Sequence, residues 1–253
     1  MSELATLEVD AGNSSAKWRV VKSGSSLCVA RGVMSWVSLP SVDEFRERVG
    51  SSVDRVLLAS VAGESKTCDL ISLVEASFPR ADVRRVTVGK RMAGVRFAYA
   101  DCSTLGVDRC LAMVAACAQS KEGVLVLDCG SAITADFVDA GGQHLGGYIF
   151  PGVRLLKASL MSGTANVPVG NDLGLNVSPG SSTAQCVERA ISLMVRSSIS
   201  ASIEHAKSLG ISQFFITGGD AAWVSGLLGV NFHVCPDLVL EGLALVVGLE
   251  GVA

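Results

Sequence analysis

Two stretches of this chain share one design, and together they restrict its possible folds more than any other feature. Residues 124–138 read VLVLDCGSAITADFV: an apolar run leads into Asp128, a small turn of Cys129, Gly130 and Ser131 follows, and apolar character resumes through Ile133 to end beside Asp136. A buried strand, a glycine turn and a returning strand is the simplest local reading. Such a tip presents one carboxylate and several backbone N–H groups. Glycine lets a ligand approach the backbone, and successive N–H groups can cradle an anion. A carboxylate beside them cannot hold a phosphate directly, so a cation or a water must lie between. Residues 7–20, LEVDAGNSSAKWRV, repeat the arrangement: a strand into Asp10, then Gly12, Asn13 and Ser14, then a second apolar run. Taken singly, each is adequately read as an ordinary tight turn, since Asp and Gly are common turn residues. The pair argues instead for two related half-molecules facing each other across a cleft.

Composition narrows the function classes. The 253 residues are enough for one large domain or two modest ones. Hydrophobic residues make up 49% and charged residues 18%, a globular balance. A net charge of −3 supplies no basic field to recruit nucleic acid. The opening MSELATLEVD lacks the basic region and apolar core of a signal peptide. No stretch reads as a bilayer span, and the apolar tail is cut by Glu241 and Glu250. Eight cysteines occur without a C-x-x-C pair, which predicts buried, reduced thiols in a cytoplasm rather than a disulfide framework or a zinc site. His144, His205 and His233 are far apart and predict no His-based metal site.

Taken in order, residues 4–35 read as successive strands. Pro40–Val49 opens a helix that Ser41 can cap, with Asp43 and Glu44 in the first turn, where the helix dipole favours acids. A strand at Val56–Val61, a helix at Asp69–Phe78 and a strand at Ala81–Val88 complete a β-β-β-α-β-α-β order, which resembles one actin-like or ribonuclease-H-like half. Residues 96–109, RFAYADCSTLGVDR, are polar and irregular after Tyr99, and Gly106–Arg109 opens the apolar helix CLAMVAACAQ. Asp108 and Arg109 in its first turn could be a capping acid and a surface base. The helix has almost no polar face, however, so its start is expected inside the molecule, and a buried acid beside an arginine needs a reason. After the second hairpin, Gly146-Gly147 and Pro151-Gly152 punctuate the chain. Helices are read over Val153–Met161, from Thr183 or a neighbouring serine to about Leu209, and over 239–249. A Gly-rich polar loop spans 162–183, and a strand at Gln213–Ile216 ends in TGGDA. There Gly218 and Gly219 could lie against a flat ligand or simply turn the chain, the two readings being about equally good.

The chain has neither a P-loop signature nor a dinucleotide fingerprint. Two Asp-Gly hairpins and a late Gly-Gly turn fit a nucleotide clamp of another kind. Phosphoryl transfer in such a site needs positioning, a cation and a base near the acceptor hydroxyl. Asp10 and Asp128 are the cation candidates, as hard oxygen ligands suit Mg²⁺ and similar ions. Asp108 is the base candidate, and Arg109 can grip a carboxylate in bidentate fashion, which points to an acidic small substrate.

With these motifs in order (DAGNSSAK at Asp10, the run from Tyr99 to Arg109, DCGSAITAD at Asp128, GGYIFPG at Gly146, Thr183, and TGGDA at Thr217), nearly the whole chain resembles the type III pantothenate kinases, also known as Bvg accessory factor proteins, of the actin-like kinase superfamily. The resemblance implies an α/β fold of two ribonuclease-H-like (actin-like ATPase) halves, each a mixed sheet flanked by helices. We set these at residues 1–117 and 118–253, the second carrying a homodimer interface. It implies a cytoplasmic enzyme that phosphorylates pantothenate with ATP to 4'-phosphopantothenate, the first step of coenzyme A biosynthesis, without nucleic-acid or membrane partners. Asp10, Ala11, Gly12, Asn13, Ser14, Ser15, Ala16 and Lys17 would wrap the ATP phosphates, Asp10 holding Mg²⁺ directly or through water. Asp128 would ligate a monovalent cation, K⁺ or NH₄⁺, and Ser131 would touch a phosphate. Tyr99, Gly106, Val107, Asp108 and Arg109 would hold pantothenate, Arg109 on its carboxylate and Asp108 as proton acceptor. Thr183 would complete the pantothenate pocket of the partner subunit, and Gly218 and Gly219 would lie near adenosine. The chain departs from the family pattern at Ser14 and Ser131, where Thr is usual, at Cys102, where Pro is usual, and at Ala190, where Gly is common; no chemical group the mechanism needs is lost. Two other readings keep the fold: a kinase of another small acceptor such as a sugar, to which Arg109 would offer nothing, and a nucleotide-binding transcriptional accessory protein, which would not need Asp108.

Overall fold

Residue contacts in the computed structural model, which describes residues 5–22, 27–50, 53–164 and 174–250 and side chains up to Val247, divide the chain into two units. Unit 1 comprises residues 1–94, 99–115 and 238–253, and unit 2 comprises 95–98 and 116–237.

Unit 1 begins with β1 (Ala5–Ala11), β2 (Ser15–Lys22) and β3 (Cys28–Ser35), followed by α1 (Val42–Val49), β4 (Val53–Ser60), α2 (Glu64–Ser77) and β5 (Asp82–Arg85). The sheet order is β3-β2-β1-β4-β5. The hairpin strands run antiparallel, whereas β4 and β5 continue parallel to β1. A strand with a neighbour on each side and helices over it must be apolar on both faces. In β1, Leu7, Val9 and Ala11 are fully buried, and even Glu8 is only 3% exposed. Its carboxylate is met across the hairpin by the Arg19 Nε at 2.5 Å, the partner that makes a buried acid tolerable.

Helix α1 starts where the sequence places it. Ser41 Oγ accepts from the Glu44 N–H, the Glu44 carboxylate accepts from the Ser41 N–H, and both together form a capping box. That hydrogen bonding to Ser41 also holds the Glu44 carboxyl below its ordinary range. The helix buries Phe45, whose ring meets Trp18 and Phe78 edge-on at 5.9 and 6.0 Å.

The short strand β6 (Arg91–Met92) leads to β7 (Val95–Arg96) and then to α3 (Val107–Gln119), within which the two units divide. In unit 2, β8 (Val124–Cys129), β9 (Ala132–Val138), β10 (His144–Pro151), α4 (Val153–Gly163), α5 (Thr183–Ser208), β11 (Gln213–Thr217), α6 (Ala221–Leu228) and β12 (His233–Val234) follow. Their sheet order is β10-β9-β8-β11-β12, with the antiparallel and parallel pairings of unit 1 repeated strand for strand. The protein is thus an α/β fold of two ribonuclease-H-like halves, each a mixed sheet with flanking helices. Asp10 and Asp128 occupy the same place in each: the penultimate residue of the central strand.

The last helix, α7 (Leu238–Glu250), packs on β1 and β4. At Gly242 a Cβ would run into the backbone of Leu111 in α3, so these helices meet with no side chain between them. Contacts therefore group residues 238–253 with unit 1, whereas the sequence division at 117/118 had put them with the second half. All eight cysteines carry free thiols; only Cys110 and Cys129 are buried, whereas Cys68 and Cys186 are exposed, so the expectation of uniformly buried thiols does not hold. Of the Gly-rich loop read over 162–183, residues 165–173 lie outside the described residues. Among the described residues no helix is long and apolar enough to cross a membrane.

Candidate active site

At the first hairpin, pairing ends at Ala11 and Ala16, leaving a four-residue connection, 12–15. It is closed by the Gly12 N–H donating to the Ser15 carbonyl at 3.0 Å, which leaves Asn13 and Ser14 exposed at the tip. Asp10 lies directly opposite Lys17. Facing residues of an antiparallel pair project to one side of the sheet. The turn therefore offers a carboxylate, an ammonium and a string of main-chain N–H groups, the set required to hold a polyphosphate with its cation.

Also in unit 1, the base and acid-binding candidates come together. Arg109, 6% exposed, donates from Nη1 to the Tyr99 hydroxyl at 3.0 Å, with its guanidinium carbon 5.8 Å from the Tyr99 ring centre. Asp108 is half-buried, against the expectation of a buried acid, because the first turn of α3 turns one face outward while Val107, Arg109 and Cys110 point in. Its Oδ1 accepts from the Arg109 N–H at 2.8 Å. Gly106 makes room for that posture: a Cβ there would stand 2.5 Å from the same Oδ1. The approach to this cluster is tied down even with Cys102 at the position of the usual proline. Asp101 caps a single 3-10 turn, Cys102–Thr104, accepting from the Ser103 N–H and hydroxyl, which also lowers the Asp101 carboxyl. Lys90 Nζ donates to the Tyr99 carbonyl at 2.7 Å.

Unit 2 assembles its turn from three separate glycine-bearing segments. Pairing ends at Cys129 and Ile133, and the Gly130 N–H closes the connection onto the Ala132 carbonyl at 3.0 Å. Gly152 sits on one side: its N–H donates to the Ser131 carbonyl at 3.2 Å, and a Cβ there would overlap the carbonyls of Gly130 and Ser131. Gly218 sits on the other at φ 96°, where a Cβ would stand 2.5 Å from the Cys129 carbonyl carbon and 2.6 Å from Asp128 Oδ1. The missing side chain of Gly218 thus serves contact with the chain itself. At Gly219 a Cβ would meet nothing within 4 Å, so the space beside that glycine is open.

Asp220 is the site residue that sequence reasoning passed over. Its N–H donates to the Cys129 carbonyl at 2.9 Å, which brings a second carboxylate to the end of β8. Burial raises its carboxyl above the ordinary range, and Lys157 on α4 works in the opposite direction. The aspartate was visible in TGGDA, but nothing in the sequence ties that turn to Asp128. Thr183 is exposed at the first position of α5, and the neighbouring Ser182 supplies the cap, accepting from the Gln185 N–H.

The donor chemistry at these turns suits hard cations. Among the described residues, no group of three or more His, Cys, Asp or Glu side chains is arranged to hold a metal ion. Beside Asp128, the Cys129 thiol is pushed well up by burial first and then by the charges of Asp128 and Asp220.

A family model described as type III pantothenate kinase matches residues 6–205. The chain belongs to the type III pantothenate kinase family. A type III pantothenate kinase of Pseudomonas paraeruginosa is 38% identical over 251 residues, covering 96% of this chain and 99% of its own length. One from Marinobacter nauticus is 34% identical over 242 residues, with coverage of 94% and 96%. Among solved structures, a Baf family transcriptional activator from Campylobacter jejuni covers 98% of this chain and 100% of its own at 19% identity and a TM-score of 0.58. The ethanolamine utilization protein EutJ from Carboxydothermus hydrogenoformans gives 97%, 91%, 13% and 0.55 in the same measures. These two likenesses bear on the fold alone. The matched family segment spans both Asp-Gly turns, the Tyr99–Arg109 cluster and Thr183.

Proposed function

We infer that the chain transfers the γ-phosphoryl group of ATP to the primary hydroxyl of pantothenate, giving 4'-phosphopantothenate and ADP, the first step towards coenzyme A. The observation that supports this reading is the placing, side by side, of a half-buried carboxylate, Asp108, which accepts from the Arg109 main-chain N–H, and a buried guanidinium, Arg109, which donates to the Tyr99 hydroxyl. Pantothenate carries a carboxylate at one end and a primary hydroxyl at the other. Arg109 suits the first as a planar, multi-donor fork, and Asp108 suits the second as a proton acceptor. As the acceptor O–H bond breaks, its proton passes to Asp108. The oxygen forms a bond to the γ-phosphorus, and the bond from that phosphorus to the β–γ bridging oxygen breaks, its electrons leaving with ADP.

Asp10, Ala11, Gly12, Asn13, Ser14, Ser15, Ala16 and Lys17 are assigned to the ATP phosphates, and Ser131 to a phosphate oxygen. Gly218 and Gly219 are assigned to the neighbourhood of adenosine. Asp10 and Asp128 are the residues that would hold Mg²⁺ and a monovalent cation, K⁺ or NH₄⁺, whose contribution is to offset phosphate charge. Gly106 and Val107 shape the pantothenate end. Free thiols suit a reducing compartment, and the cytoplasm is where we place the enzyme.

The deciding experiment is a coupled ADP-release assay with pantothenate and simple sugars, in K⁺ or NH₄⁺ and in Na⁺ alone. Turnover is expected with pantothenate only and to fall sharply in Na⁺. Turnover on a sugar but not on pantothenate would refute the acceptor, and full activity in Na⁺ would remove the cation role from Asp128.

We further assign Thr183 to the pantothenate pocket of a second copy of the chain. Unit 2 presents apolar side chains that support such pairing: Tyr148 and Ile149 on β10, and Leu193 and Met194 on α5, are 44%, 63%, 48% and 52% exposed. Sedimentation equilibrium is expected to give twice the 26.1 kDa chain mass. A monomer at the concentrations used for assay would rule out a shared pocket.

A further inference from the structure

The phosphate-binding role given to the first turn requires its N–H groups to face the ligand, and two side chains outside the recognised motifs determine which way they face. Trp36, in the tight turn that follows β3, donates its indole Nε1–H to the Gly12 carbonyl at 2.8 Å. Lys66, in the first turn of α2, donates from Nζ to the Asn13 carbonyl at 3.0 Å, and its ammonium lies 5.5 Å from the centre of the Trp36 ring. A trans peptide is planar, with its C=O and N–H pointing in opposite directions. Fixing the Gly12 carbonyl therefore fixes the Asn13 N–H, and fixing the Asn13 carbonyl fixes the Ser14 N–H, both turned away from the indole and the ammonium.

The placement of Lys66 bears this out. A cation in the first turn of a helix is disfavoured by the helix dipole, and α2 has Gly63 at its N-cap with no side-chain hydrogen bond to compensate. The ammonium is used at the Asn13 carbonyl and over the indole, which joins the two clamps into one unit.

We propose that Trp36 and Lys66 are positioning residues for ATP: they clamp the outer carbonyls of the Gly12–Asn13 turn so that the Asn13 and Ser14 N–H groups are presented to the phosphates. The proposal rests on the ATP-dependent kinase reading above but is independent of the acceptor's identity.

The test uses the full chain with Trp36→Phe, which keeps the ring and removes the donor, Lys66→Met, and Lys66→Arg as the conservative control. Affinity for MgATP is read by calorimetry without acceptor, alongside KM for ATP and for pantothenate. Each disruptive variant is expected to weaken ATP roughly tenfold, the loss of one hydrogen bond. KM for pantothenate and the thermal midpoint should stay near those of the parent, Lys66→Arg should recover most of the affinity, and the double variant should lose less than the product of the single losses. ATP affinity unchanged in both Trp36→Phe and Lys66→Met would overturn the proposal while leaving the kinase standing. Equal losses for ATP and pantothenate would reduce both residues to a general structural role. A parent chain without affinity for ATP would overturn the proposal and the kinase reading together, whereas failure of pantothenate alone as acceptor would overturn only the acceptor, because the ATP titrations do not depend on it.

Discussion

Asp108→Asn is expected to fold like the parent chain and to lose roughly 10²–10⁴-fold in turnover, the usual contribution of a positioned general base. Asparagine keeps the shape of the side chain and can keep the bond from the Arg109 N–H, since its carbonyl oxygen accepts as Oδ1 of the carboxylate does. It cannot take a proton. Asp108 is half-exposed, so the change leaves no fully buried carboxylate behind, and the thermal midpoint should move little. The measurement is kcat at saturating ATP and pantothenate, with the unfolding midpoint as control. A loss below twofold would take the proton-accepting role away from Asp108 and return it to the capping position first considered.

Arg109→Ala is expected to act on binding. Truncating one partner of a desolvated charge pair costs several kcal/mol, so KM for pantothenate should rise about 10²-fold or more while KM for ATP stays put. Arg109 is buried and bonded to Tyr99, so the alanine variant also removes packing. Arg109→Lys separates the effects: it retains the charge and much of the stem but loses the planar fork, and it should recover stability more than affinity. A pantothenate KM unchanged in both variants would refute the carboxylate contact.

Much of this was legible from the chain because the features that matter are local. Asp-x-Gly between two apolar runs marks a hairpin from residue types alone, and Ser41 with Glu44 three residues on announces the start of α1. The polar run from Tyr99 into an apolar helix places Asp108 and Arg109 in one first turn. Legibility failed where an element is held by main-chain pairing rather than by a pattern of side chains. Strand β10 reads as punctuation because its glycines break the alternation; Gly146, at φ 112°, sits where the register against β9 shifts. Helix α2 starts at Glu64 rather than Asp69 because its first turn is polar and lacks a capping side chain. The short β12 has no sequence signal, and α6 is announced only as the helix that a strand-to-helix turn at Gly218-Gly219 would open.

Proximity between distant segments was equally hidden. Nothing in the sequence brings Asp220 to Cys129, or Trp36 and Lys66 to the Asp10 turn. The buried His144 is a further case: its Nε2 lies 3.2 Å from Asp136 Oδ1 and its Nδ1 3.4 Å from the Ala98 N–H. From sequence it was only an isolated histidine far from any other. Spacing along a chain reports neighbours on one element, whereas side chains that cross between elements are set by a sheet order the residues do not spell out.

The return of α7 to β1 and β4 bears on the order in which the chain can close as it is made. Domains commonly close in the order in which they are made. Here the strand bearing Asp10 is made before most of unit 2, yet the helix that packs on it comes from residues 238–250, after the segments that build unit 2. The sheet of unit 1 therefore lacks one of its covering helices until unit 2 has been made, and the Asp10 turn gains its full support late in synthesis.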